Sequence, residues 1–212
     1  MPLPFSEREF LDVFGAYNGA LWPAAAALWV ASLVALALVL RGVRIDRSVS
    51  ILLAVHWAWA GIAYHLAFFA SINPAARVFA AMFLLEAILL AWAGPRPSPV
   101  RYAWKRTPWS VIGAGLAAYA LAYPFLAMAL VQPYPRTPTF GVPCPTTIFT
   151  IGLLMMSTPP RWSLAPILLL WSVIGGSAAV LFGVTTDFAL PAAGGLLLVQ
   201  LVRYRSVGSR PR

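Results

Sequence analysis

The stretch LWPAAAALWVASLVALALVLRGVRIDR, residues 21–47, decides the fold. Its first twenty residues carry no charge, and the next seven hold Arg41, Arg44 and Arg47. Twenty residues of helix rise about 30 Å, the thickness of a bilayer's hydrocarbon core. Backbone amides and carbonyls inside that core must pair within the segment, so an uncharged run of this length reads as a spanning helix. Arginines clustered directly after it mark the cytoplasmic side.

Working outward, apolar runs recur at 49–70, 78–93, 109–131, 143–157, 164–184 and 188–202. The expected fold is all-α: a polytopic transmembrane helical bundle of about seven transmembrane helices. Residues 1–212 form a single integral membrane domain. A short interfacial helix is expected within 1–20. Ser6 and Glu9 fit a capping box there, and Phe10, Val13, Phe14 and Tyr17 fall on one face. MPLPFSEREF lacks the basic start of a signal peptide. Pro124 is expected to kink the fourth span. Residues 203–212 form a basic cytoplasmic tail.

Composition agrees. The chain is 61% hydrophobic and 10% charged, with mean hydropathy +0.80; a soluble domain carries roughly 25% charged residues. A net charge of +9 in a soluble protein would suggest nucleic acid. Here the basic residues lie between spans, so the predicted partner is the lipid bilayer and not nucleic acid. A homo-oligomer or a membrane partner protein is compatible with such a bundle. The lone Cys144 excludes an internal disulfide and a multi-cysteine metal site.

The charges also orient the bundle. With the N-terminus outside and the C-terminus cytoplasmic, 12 of the 15 Lys and Arg residues fall inside. Only Arg8, Arg77 and Arg136 fall outside. If the short fifth segment turned back instead of crossing, the split would be 7 to 8, with no bias. The positive-inside pattern therefore favours seven crossings.

Ionisable groups inside a membrane are costly and mark candidate sites. Three lie within the spans: His56, His65 and Glu86. His56 and His65, nine residues apart, point to opposite sides of an α-helix, and His56 reads as a structural core histidine. His65 and Glu86 differ in depth by only about 4–5 Å, so an inter-helix pair is geometrically open to them. Together with Tyr64 they form a candidate ion or proton site. No lysine lies in a span, which argues against a retinal Schiff base.

The second candidate is PTFGVPCPTT, residues 138–147. Pro143 and Pro145 suit a first helical turn and flank Cys144, while Thr146 and Thr147 are placed to satisfy freed amides. Cys144, Thr146, Thr147 and Asn73 at one mouth form a candidate site for a solute, an anion or a soft metal. The metal question is otherwise open, and no cofactor is predicted. WSVIGGSAA at 171–179, with Gly194 and Gly195, reads as a close-packing surface. Most tryptophans, Trp57 and Trp171 among them, are read as interfacial or lipid-facing, with an aromatic pocket around Trp59 and Tyr64 as the alternative. No phosphate-binding glycine loop, HExxH or GxSxG occurs, and nothing marks the chain as an enzyme.

Four blocks carry a resemblance: YNGALWP (17–23), WAWAGIAYHLAFFASINPAA (57–76), PTFGVPCPTTIFTIGLL (138–154) and WSVIGGSAAVLFGVTTD (171–187). The chain resembles an uncharacterised family of bacterial multi-pass membrane proteins, a domain of unknown function, with TFGxPCPTT as its most specific motif. The resemblance implies a bacterial cytoplasmic (inner) membrane protein and no particular activity. Glu86 stands where it implies a glutamine-like polar residue. The leading functional reading is a small-solute or ion permease or channel-like protein with an outward-facing polar site. The alternative is a non-catalytic membrane subunit or scaffold that binds a partner protein. A haem or redox protein using His56 or His65 ranks last.

Overall fold

The structure is a computed structural model and describes residues 4–94 and 100–208. Arg96, Arg210 and Arg212, which enter the charge count, lie outside the described residues. Seven α-helices make up the described fold: α1 Glu7–Leu40, α2 Asp46–Trp59, α3 Ala76–Ala93, α4 Pro108–Leu130, α5 Pro143–Met155, α6 Pro166–Phe182 and α7 Ala189–Gly208. Six helical segments are long and apolar enough to cross a membrane. The fold is the expected all-α bundle.

Helix ends follow local chemistry. Ser6 and Glu9 form the capping box of α1. Thr107 caps α4, with Pro108 in its first turn. Gly183 ends α6 with φ 65°, the left-handed conformation glycine adopts at no steric cost. Pro124 leaves α4 continuous to Leu130. In the turn it disturbs, the Trp29 indole donates to the Leu121 carbonyl at 2.8 Å.

Two elements differ from the sequence reading. The amphipathic segment and the first span form one 34-residue helix, about 51 Å long. Pro23 does not break it, because neighbouring helices tolerate and re-satisfy such interruptions in membrane helices. The second span is not uniformly α-helical. After Trp59 it widens into a π-helix, Ala60–Leu66, and then a short 3-10 turn, Phe69–Ser71. The basic tail also begins inside α7, which carries Arg203 and Arg205 in helix.

At 13 residues, α5 rises only about 20 Å, yet it lies at the centre of the bundle. Twelve of its residues are buried; Cys144 is half-buried. It packs on α4, α7, α2 and α6. Gly113 and Gly152 permit the α4 contact: a Cβ on either would come within about 2.6 Å of the other's carbonyl oxygen. Gly194 lies against Ser172, and Gly175 against Leu190, so α6 and α7 meet through the expected small-residue surface. The chain leaving α5 forms strand β2, Ser157–Thr158, antiparallel to β1, Arg101–Tyr102, which precedes α4. Thus α5 ends at the level where α4 begins.

The alternation gives two ends. One, the basic end, holds the α1–α2, α3–α4 and α5–α6 connections and the end of α7. The other holds the start of α1, residues 67–75, residues 131–142 and the 3-10 turn Thr185–Phe188. Val173, Val180, Leu130, Val78 and Ile88 are exposed on the outer surface, whereas Asn18, His56, His65 and Glu86 are buried. Apolar outside and polar inside is the arrangement a bilayer imposes.

Candidate functional site

At the end opposite the basic one, residues 131–142 fold down onto the bundle. Asn18 of α1 holds them. Its side-chain amide donates to the carbonyls of Pro135 at 2.6 Å and Thr137 at 2.8 Å, and its oxygen accepts from the Thr139 hydroxyl at 2.6 Å. Gly141 follows with φ 90°, where a Cβ would lie 2.9 Å from the Tyr17 hydroxyl and 3.2 Å from Trp59 Nε1. Those two groups hydrogen-bond each other at 2.7 Å. Three sequence blocks, YNGALWP, WAWAG and PTFG, therefore meet at one junction. It aims Pro143 and Cys144 into the bundle.

Beneath this junction lies a cavity of about 220 Å³. Phe10 and Phe14 of α1, Tyr64 and His65 of the π-helix, Phe79, Trp171 and Phe182 bring rings to its wall. Cys144, Asn73, Tyr123 and Asp187 bring polar groups to it. The aromatic rings interlock: Phe10 stacks on Phe182 at 4.5 Å and Phe14 on Tyr64 at 5.6 Å. The π-helix is what turns both Tyr64 and His65 toward this space; such insertions are frequent at functional sites.

The predicted residues are distributed as follows. Tyr64, His65, Asn73 and Cys144 all line the cavity. His65 is fully buried, ringed by Phe83 at 4.9 Å, Trp171 at 5.3 Å and Phe79 at 5.7 Å, and neither of its nitrogens has a hydrogen-bond partner. Asn73 accepts from its own turn's Ala75 amide at 3.0 Å. Thr146 and Thr147 are buried in α5 away from the cavity. The Thr147 hydroxyl donates to the Pro143 carbonyl at 2.9 Å, so it serves a carbonyl and not a freed amide. The Thr146 hydroxyl makes no hydrogen bond among the described residues.

Glu86 does not line the cavity. It is fully buried, and among the described residues it forms no ion pair or hydrogen bond with His65 or any other group. Phe83, one turn before it on α3, packs on His65 instead. His56 is a core histidine whose Nε2 shares a 2.8 Å hydrogen bond with the Ser32 hydroxyl. Trp57 and Trp171 are buried and not interfacial; the Trp57 indole donates to Thr150 at 2.9 Å. Trp22 and Trp92 are exposed.

Sequence reasoning missed Asp187 and Tyr123. Asp187 sits in the 3-10 turn before α7, buried against the bundle. The Tyr123 hydroxyl donates to its Oδ1, and the Cys144 thiol lies near it. No Lys, Arg or His forms an ion pair with it among the described residues. The one signal was slight: an aspartate in a junction of only six residues between two apolar helices, GVTTDF at 183–188.

Residues 7–210 match the profile of a family of unknown function, DUF6064. The chain belongs to that family. No curated protein and no solved structure matches it.

Proposed function

For this member of the DUF6064 family we propose a permease or channel-like role, with a small solute bound in the cavity at the end opposite the basic one. One observation carries the reading. A cavity of about 220 Å³ within a membrane-type bundle is lined by His65, a fully buried side chain with both nitrogens unpartnered. Buried polar groups without partners cost about 1–3 kcal/mol each. Retaining one behind a cavity wall is reasonable where movement of the surrounding rings lets a solute or water complete its hydrogen bonds. The bundle lies in the bacterial cytoplasmic membrane, with the basic end inside by the positive-inside rule, so the cavity opens outward.

Stopped-flow swelling of proteoliposomes tests the reading. Three probes span the charge classes: glycerol, acetate and choline. At least one is expected to enter about tenfold faster than into protein-free liposomes, and His65→Ala is expected to lower that rate. Equal rates with and without protein for all three would overturn permeation.

A further inference from the structure

The same cavity carries a sign. Its described lining includes one carboxylate, Asp187, and no lysine or arginine. Among the described residues the side chain of Asp187 has a neutral hydrogen-bond donor, the Tyr123 hydroxyl, and the Cys144 thiol is a neutral neighbour. The nearby start of α5 offsets part of its charge, since a helix N-terminus carries roughly half a positive charge. The balance remains negative. An anionic solute at the α5 terminus would meet Asp187 first and be repelled. Around that carboxylate the wall is aromatic, and ring faces attract cations, most effectively from Trp and in desolvated surroundings. A bare metal ion is poorly served, because no group of three or more His, Cys, Asp or Glu is assembled among the described residues.

From this we propose that the cavity binds an alkylated organic ammonium ion, with Asp187 as counter-charge and the Phe10, Phe14, Tyr64, Phe79, Trp171 and Phe182 rings around its alkyl groups. This rests on the reading of the cavity as a solute site and adds the class of solute. A cavity of 150 Å³ holds benzene, so about 220 Å³ accommodates a small ammonium ion with a short arm.

The test is equilibrium binding to the full-length protein in lipid nanodiscs. Radiolabelled choline is the probe, competed by unlabelled choline or by 3,3-dimethylbutan-1-ol, its uncharged isostere of the same shape. Choline is expected to bind and to compete at least about tenfold better than the alcohol. Asp187→Asn is expected to bring choline down to the level of the alcohol. Equal competition by the two on the native protein overturns the proposal without recourse to a variant, and so does absence of choline binding. Choline binding without swelling would retain the cation site and remove the permease reading. Swelling without charge discrimination would do the reverse.

Discussion

Asp187 accepts a hydrogen bond from the Tyr123 hydroxyl, whereas neither oxygen of Glu86 has a partner among the described residues. The two acids are equally hidden from solvent but face different surroundings. Asp187 borders a cavity; Glu86 is enclosed by the bundle beside Phe83 and away from that cavity. An unpartnered buried polar group costs about 1–3 kcal/mol, and an apolar side chain of similar size removes that cost. Glu86→Leu is therefore expected to raise unfolding stability by about 1–2 kcal/mol, read by thermal unfolding in detergent, and to leave choline affinity unchanged. A loss of stability would show that Glu86 has a partner that this packing does not account for. Asp187→Leu is expected to lower stability, since it strips the bond from the buried Tyr123 hydroxyl. The sequence made His65 and Glu86 visible for one reason: both interrupt apolar runs. It could not rank them, because only the fold decides which faces an open space. Asp187 was hidden because GVTTD reads as an ordinary connection, and burial of a turn is a tertiary property.

At the scale of elements, the central position of α5 was not legible from its length. Thirteen residues fall short of about 30 Å, and hydropathy alone suggests a segment that turns back. The charge split favoured crossing, and the β1–β2 pairing shows that α5 reaches the level where α4 starts. The burial of α5 on all sides explains how a short helix is tolerated, since its ends meet protein and not lipid. Gln200 of α7, for example, donates to the Met155 carbonyl at 3.0 Å. The π-helix was equally invisible, because a 100° wheel assumes the α period through residue 66. What the sequence did expose were junctions, such as Asn18 and Gly141, which belong to blocks of unusual composition. The α4–α5 contact yields a paired prediction. A Cβ at Gly113 would lie 2.5 Å from the Gly152 carbonyl oxygen, which is backbone and cannot swing away. Gly113→Ala should therefore lower stability by about 1–3 kcal/mol through overpacking. Gly115, two residues on in the same helix, has nothing within 4 Å of such an atom. Gly115→Ala should be neutral or gain up to about 1 kcal/mol of helix propensity. Unfolding of both variants in one detergent checks the pair, and equal effects would contradict the close approach.

At the scale of the molecule, the basic residues and the aromatic-walled cavity lie at opposite ends. Arg41, Arg44, Arg47, Arg101, Lys105, Arg106, Arg161, Arg203 and Arg205 gather at the basic end, while Arg8, Arg77 and Arg136 are on the other. Insertion keeps short basic loops in the cytoplasm, so this asymmetry predicts that the cavity end meets the outside. Under that orientation, alternation of seven helices places residues 131–142 outside and Ser157 inside. Reporter fusions expose this directly. Alkaline phosphatase, active only outside the cytoplasm, should be active when fused after Arg136 and inactive after Arg106, after Arg161 and at the end of the full chain. Green fluorescent protein, exported unfolded and dark, should give the complementary pattern. Phosphatase activity after Arg161 would mean that α5 turns back, which the β1–β2 pairing opposes. Inversion of the whole pattern would keep the fold but turn the cavity toward the cytoplasm. The aromatic wall and Asp187 would then receive a solute from inside, and uptake would have to be sought as export.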